Sequence, residues 1–393
     1  MRQAYMDHIA ATPVRPEVLE AMLPFFQRSY GNPQSLHSSG QEALLAIDEA
    51  RAKVAGLIGA ASEEIIFTAA GSESNNLALK GMALANQAQG KRIVVSAIEH
   101  ASVLNSAKAL QKLGFQTALV PVDRFGRIDP GEVQKALTKD TVLVSIMTAN
   151  SEVGTIEPVA EIARICRTNG VLIHTDAVAA AGTVPVDVNA LGIDALSLAA
   201  DQFYGPKGAA ALFVRKGVRV LPLIDGGVQE GGRRGGTENV PAIVGMGKAA
   251  EIAAAGLGQR AEATKTLRNL LTRELLSRID HVILTGHPEI RLPHHASFCV
   301  EFIEGEGMLL HLDMKGIACS SGSACTSKSL KASHVLLAMG FDHALAQGSL
   351  VFSLLETTTR QDIDYLLEVF PPIIDKLRRM SPLYTKYQEE KKI

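Results

Sequence analysis

From Glu64 to Val214 the chain alternates short, unbroken apolar runs with helical patterns, and few architectures accept that alternation. EIIFT (64–68), RIVVS (92–96), FQTALVPV (115–122), TVLVSIMT (141–148), VLIHTDA (171–177), ALSLAA (195–200) and AAALFV (209–214) read as strands. Segments such as SVLNSAKALQKLG and PVAEIARICRTNG lie between them with helical spacing. Strands that are apolar on both faces must be covered on both, which predicts an α/β fold with a mostly parallel sheet between helical layers. A glycine-rich stretch, GGVQEGGRRGGT (226–237), reads as a loop held by contacts, and two helices are expected after it, over 240–257 and 261–279. The pattern then changes. HVILTG (281–286), ASFCVEFI (296–303), GIACSSG (316–322) and LVFSLL (350–355) predict a smaller α+β domain, closed by a helix over 360–380 and a solvated charged tail, YQEEKKI.

At 393 residues the chain has room for a large domain and a smaller partner. A net charge of -2 gives no reason to expect nucleic acid or an anionic membrane as partner. The apolar stretches read as too interrupted to span a bilayer, and MRQAYMDHIAATP reads as too polar for a signal peptide. Cys166, Cys299, Cys319 and Cys325 make no disulfide framework, so a cytoplasmic location is expected. Cys319 and Cys325 are not at a zinc-ligand spacing.

In SLAADQFYGPKG (197–208) a strand ends in polar residues at a glycine-proline turn, where an α/β enzyme places reactive side chains. By pattern alone the reactive residue is Lys207, Asp201, Gln202 or none. GSESNN (71–76) follows a strand and opens a helix, so Ser72 and nearby backbone amides form either an anion site or an ordinary turn. Asp176 in HTDA ends a strand, as a ligand contact or a helix cap. In CSSGSACTS (319–327) Cys325 has no apolar company and reads as an exposed, chemically used thiol. Cys319 stays open, and Cys166 and Cys299 read as core. The GGRRGGTEN loop is either solvated or an oligomer contact delivering Arg234 or Thr237 to a neighbouring site.

DHIAATP, YGNP, FTAAGSESNN, SAIEH, TANSEVGTIEP, HTDA, YGPKG, GGRRGGTENV, SSGSACTS, SHVLLAMGF and SPLYTKY occur in that order along nearly the whole chain. The set resembles the cysteine desulfurases of the class V aminotransferase family. The resemblance implies the pyridoxal-phosphate fold type I and a homodimer with active sites near the subunit interface. It also implies a division into an N-terminal segment (1–15) packing with the small domain, a large cofactor-type domain (16–258) and a small α+β domain (259–393) carrying the cysteine loop. In that family a lysine holds the cofactor aldehyde, an aspartate pairs with the pyridine nitrogen, a histidine stacks on the ring, and an arginine binds the substrate carboxylate. A loop cysteine takes the sulfur as a persulfide.

Carried over by resemblance, His100 matches the stacking histidine, Asp176 the pyridinium partner, Thr237 a phosphate contact contributed across the dimer, and Cys325 the persulfide cysteine, with Ser72 beside the phosphate. Other positions depart. Gln202 stands at the lysine position, Asp201 and Ala199 at phosphate positions, Ala179 at the position of a glutamine that contacts the ring oxygen, Ser151 at the second Asn of the family's Asn-Asn-Glu, and Glu356 at the arginine position, where it reverses the charge a substrate would meet. Lys207 belongs to the turn itself.

The expectation is therefore a degenerate desulfurase, non-catalytic or weakly catalytic, binding pyridoxal phosphate weakly or not at all. Cys325 would serve persulfide transfer or transient iron–sulfur cluster assembly with a scaffold or other sulfur-acceptor protein. An active pyridoxal-phosphate desulfurase acting on L-cysteine is the alternative, and a non-catalytic subunit paired with an active paralogue is another. A further reading has Asp176, Asp201, Glu356 and His100 converging on a metal or a different ligand.

Overall fold

The computed structural model describes residues 2–322 and 332–391, so Cys325 lies outside the described residues. Seven strands form the main sheet: β2 (Ile65–Thr68), β3 (Arg92–Ser96), β4 (Gln116–Val120), β5 (Thr141–Ser145), β6 (Leu172–Asp176), β7 (Ala195–Ala199) and β8 (Ala210–Val214). Their order is β2-β8-β7-β6-β5-β3-β4. Pairings among β3 to β7 are parallel, whereas β8 runs antiparallel to both β2 and β7. The turn 200–209 explains that exception, because it is too short for the crossover a parallel neighbour requires. Every residue of β2, β5, β7 and β8 is buried, as expected of a sheet covered on both faces.

A second, smaller sheet is antiparallel: β9 (Val282–Leu284), β10 (His295–Val300) and β12 (Ser349–Ser353), in the order β12-β10-β9. The N-terminal strand β1 (Ala4–Tyr5) pairs in parallel with β11 (Ile317–Ala318), and Ala4 and Met6 join the core formed by Phe298, Phe352, Leu366 and Phe370. Chain start and chain end thus share one apolar cluster, separate from the core under the main sheet.

Three expectations need correction here. The two helices expected over 240–257 and 261–279 are one helix of 39 residues, Val240–Arg278. Gly256 and Gly258 weaken it by about 1 kcal/mol each relative to alanine, but neither adopts the left-handed conformation that ends a helix. Its first half buries Val240, Ile243, Met246 and Ala250 in the main core, and its second half buries Leu271 and Leu275 in the smaller one. The expected boundary at 258/259 therefore falls inside a continuous helix. This helix also reaches the length and apolarity of a membrane span, with a mean hydropathy of 1.3 over its best window, and 50% of that window is buried inside the protein. It packs on the helix Ser38–Ile58 as a core helix does.

The C-terminal tail is the third. It folds as a helix, Pro382–Glu390, capped by Ser381 through the Tyr384 amide. Tyr387 stacks on Phe302 at 4.8 Å and Tyr384 lies 5.5 Å from the same ring. The charged composition concealed two aromatic residues at i and i+3, one helical face.

The glycine-rich loop is held as expected, by a pair the sequence did not reveal. Glu230 adopts a left-handed φ of 49° and buries its carboxylate. It accepts two hydrogen bonds from Arg51, both 2.7 Å, and one from the Phe67 amide at 2.8 Å. Neighbouring Gly231, Gly232 and Gly236 also have positive φ, which lets the chain fold back tightly enough to insert Glu230.

Candidate active site

β6 and β7 end side by side, and their C-terminal ends open onto a cavity of about 520 Å³. In an open α/β sheet this is where ligands bind. Asp176 is the last residue of β6. Its carboxylate accepts from Asn75 Nδ2 at 2.6 Å and from the Val178 amide at 2.9 Å. Burial pushes this carboxyl upward, against those two bonds and the nearby His100.

His100 caps the helix Ala101–Gln111: its Nδ1 accepts from the Ser102 amide at 3.1 Å. Ser102 Oγ accepts from Asn75 Nδ2 at 2.9 Å and donates to His100 Nδ1 at 2.7 Å. That chain places the imidazole proton on Nε2. Asn75 and Ser102 thereby couple Asp176 to His100. Sequence reasoning missed both; the signal available was the polar run SESNN facing a capped helix.

The opposite wall is the end of β7. Ala199 closes the strand, and Ala200–Gln202 form a single tight turn. Gln202 is buried, its Nε2 donating to the Ile9 carbonyl at 3.3 Å. The backbone carbonyl of Asp201 accepts from the amide and the hydroxyl of Thr12. Burial raises the Asp201 carboxyl, and Lys207 opposes the rise. The cavity gathers Ser72, His100, Asp176, Ala199, Asp201 and Gln202, together with Ala179 and Ser151. Lys207 also lines it, as an exposed residue at the rim rather than in the depth.

Three expected residues lie elsewhere. Thr237 lines a neighbouring cavity of about 230 Å³ with Glu230 and Asn239, adjoining the first at Ala69 and Gly208. Arg234, a candidate for a neighbouring subunit's site, donates to Glu73 of its own chain at 2.9 Å. Glu356 stands on a third cavity, behind Gln202, which lines both. Both of its carboxylate oxygens accept from Arg15, and Arg260 lies at 3.9 Å. The backbone amide of Glu356 donates to the Tyr204 hydroxyl at 2.9 Å, and the Arg15 guanidinium covers the Tyr204 ring at 5.2 Å.

The reversed charge expected at 356 is met within the chain by Arg15 and Arg260. The same pairing removes Glu356 from any convergence with His100 and Asp176. Among the described residues no group of three or more His, Cys, Asp or Glu could hold a metal.

Cys166 and Cys299 are fully buried, as expected. Cys319 is half-buried, and burial with Asp7 and Asp313 nearby pushes its thiol far up, away from reactive thiolate character.

The residues can be tested against pyridoxal phosphate by their donor chemistry. Asp176, buried and able to gain from a cationic N–H, fits the pyridine nitrogen, and His100 fits a ring flank. The other end does not fit. A carboxamide at 202 cannot form an imine, because its nitrogen lone pair is delocalised. Asp201 presents a carboxylate where a phosphate dianion would sit, and like charges repel strongly in a poorly solvated wall. The ring half of the cofactor has a place; Gln202 offers no covalent anchor, and Asp201 opposes a phosphate that Ser72, on the same cavity, could contact.

Comparison with known proteins is consistent across the chain. Residues 4–366 match the class-V aminotransferase family. The chain is 49% identical to cysteine desulfurase IscS of Dictyoglomus turgidum over 100% of this chain and 99% of that protein. It is 48% identical to cysteine desulfurase IscS 1 of Archaeoglobus fulgidus, over 97% of this chain and 100% of the relative. Among solved structures, a NifS-like protein superposes with a TM-score of 0.90 at 39% identity, covering 96% of this chain and 100% of the other. A NifS-like protein from Rickettsia africae gives 0.87 at 31% identity, over 95% and 100%. On this likeness, which runs from β1 through the helix Arg360–Met380, the chain belongs to the class V aminotransferase family, among its cysteine desulfurases.

Proposed function

We propose that this protein serves cysteine desulfurase chemistry by handling sulfur on Cys325, while its own cofactor pocket turns over cysteine weakly or not at all. The observation that carries this reading is Gln202, buried at the end of β7 where the resemblance expects lysine. Among the described residues that line the cavity, the one side-chain amine is that of Lys207, at the rim. In the relay, the Cys325 thiolate attacks the outer sulfur of a donor persulfide, R–S–SH. A Cys325–S–SH bond forms, the donor S–S bond breaks, and the donor leaves as its thiolate, so no external oxidant is needed.

A second reading has the better support from the comparisons. Relatives named cysteine desulfurase, 46 to 49% identical over 99 to 100% of this chain, favour an active pyridoxal-phosphate enzyme that releases sulfur from L-cysteine. Nothing in those relatives speaks for a degenerate site. A third reading, pairing with an active paralogue, draws on Thr237, which does not line the Asp176 cavity of its own chain.

The remaining proposals follow the family: a homodimer, a cytoplasmic location, and an iron–sulfur scaffold or other sulfur acceptor as partner, with a cluster passing transiently over Cys325. Sulfide release from L-cysteine with saturating pyridoxal phosphate separates the first two readings. The weak-turnover reading expects no release above free cofactor, together with persulfide uptake that Cys325→Ala abolishes. Release that depends on Asp176 establishes the active enzyme instead.

A further inference from the structure

Glu152 belongs to the turn 150–154, in which its neighbour Ser151 lines the Asp176 cavity. That turn is fixed from both sides. Asn150 Oδ1 accepts from the amides of Glu152 and Val153 at 2.8 and 3.0 Å. Asn150 Nδ2 donates to the Ile98 carbonyl at 2.9 Å, two residues before His100. From β10 of the smaller sheet, His295 Nε2 donates to the Ser151 carbonyl at 2.9 Å. The turn is thus a rigid mount between the two sheets.

Glu152 itself does not line the cavity. Its carboxylate accepts from Ser333 Oγ, which in turn accepts from the amides of Val335 and Leu336, both at 3.2 Å, as the cap of the helix His334–Ala338. Gly322 runs against the same carboxylate: a Cβ there would lie 3.0 Å from Glu152 Oε2 and 3.5 Å from Ser333 Cβ. Gly322 and Ser333 flank Cys325 in the chain, three residues before it and eight after. Three residues reach at most about 11 Å, so the position of Gly322 bears directly on that of the thiol. One side chain therefore touches the chain on both sides of Cys325.

We propose that Glu152 is a positioning residue for sulfur transfer: through Gly322 and Ser333 it fixes the two points from which the chain presents Cys325. The inference rests on Cys325 carrying sulfur, which the relay and the active-enzyme readings share. Burial pushes the Glu152 carboxyl up to about 7, with the Ser333 bond opposing the rise. The titratable groups on the elements around it do not change charge in that range. His295 is pushed down to about 3, His334 is held below its ordinary value by burial while it donates to the Glu99 carbonyl, and Arg291, at about 9, donates to the Val153 carbonyl. Ionised, Glu152 takes a charge-assisted hydrogen bond from Ser333; protonated, it takes a weaker neutral one. The tie is firm above neutral pH and loosens below it.

Persulfide uptake by the full chain from glutathione persulfide tests this. The Cys325 thiolate takes the outer sulfur as Cys325–S–SH, and glutathione leaves as its thiolate. Rates are compared for the native chain and Glu152→Gln at about pH 6 and about pH 8, and their ratio cancels the ionisation of Cys325 and of the donor, which both proteins share. Equal rates are expected at the lower pH, and a native rate about threefold higher at the upper one, the equivalent of exchanging a charge-assisted hydrogen bond for a neutral one. Ser333→Ala, which keeps Glu152 but removes its donor, is expected to match Glu152→Gln and carries the test if that variant fails to fold. A ratio that is the same at both pH values overturns the proposal, even if the variant is slower throughout, because a merely structural role gives that result. Uptake that survives Cys325→Ala overturns the sulfur reading and this proposal with it, whereas uptake lost in Cys325→Ala beside a flat ratio overturns this proposal alone.

Discussion

Arg15 and Arg260 converge on Glu356 from positions 341 and 96 residues away in the chain. The pair is about four-fifths buried, with side-chain exposures of 22% and 21% for Arg15 and Glu356, so solvent screens it little. Removing the carboxylate leaves the Arg15 and Arg260 guanidinium groups without their counter-charge. Glu356→Ala is expected to destabilise the fold by about 1–3 kcal/mol in urea denaturation. An unchanged midpoint would show that the ion pair contributes nothing. At this scale the sequence disclosed which residues stand at the expected positions: Gln202, Asp201, Ala199, His100 and Asp176 all line one cavity. It could not disclose their partners. The Asn75–Ser102 link and the arginines on Glu356 depend on distant segments meeting, which no local pattern encodes.

The strands were legible because a strand buried on both faces must be apolar throughout, and β3 runs over Arg92–Ser96 as read. The long helix was not, because Gly256 and Gly258 resemble a stop signal in sequence. Their difference in space gives a prediction. A Cβ at Gly258 meets nothing within 4 Å, whereas one at Gly256 would lie 2.3 Å from Arg260 Nη1. Gly258→Ala is expected to stabilise by about 0.5–1 kcal/mol, and Gly256→Ala by less, since it disturbs an arginine that attends Glu356. Equal gains in thermal denaturation would contradict this account of the helix. In the glycine-rich loop, Glu230→Ala would strand the buried Arg51 charge. A loss of about 3–5 kcal/mol is expected, read from the denaturation midpoint, while a loss below 1 kcal/mol would mean that the loop is held by other contacts.

Over the whole molecule, buried titrating groups set how stability depends on pH. Glu157 is pushed up to about 8 by burial, and Glu152 to about 7. In the unfolded chain both titrate at their ordinary value, 4.5. Between those values the folded state holds protons that the unfolded state has released. This contribution is full below 4.5 and is lost as pH rises through the folded values. Buried His174 and His295 are pushed down to about 3 from 6.5, so they remove stability only as pH falls below 6.5. Above that point the carboxyls dominate. Stability is expected to decline between about pH 6.5 and pH 8, and Glu157→Gln, which mimics the protonated acid, should flatten the decline. Parallel pH profiles for the two proteins would remove Glu157 from the explanation.

The same scale joins the fold to the site. The N-terminal segment, bound to the smaller core through β1, reaches back so that Ile9 and Thr12 hold Gln202 and Asp201. The remodelled end of the pocket is thus built into the contact between chain start and main sheet, and is not a loose remnant. The central claim is that this pocket keeps a place for the cofactor ring but neither anchors it covalently nor holds its phosphate. The visible absorption spectrum, with pyridoxal phosphate added first and L-cysteine second, tests it most directly. The account predicts the spectrum of free cofactor at every step for the native chain, and a protein-dependent band once Gln202→Lys supplies an amine. A protein-dependent band in the native chain, at either addition, would contradict it.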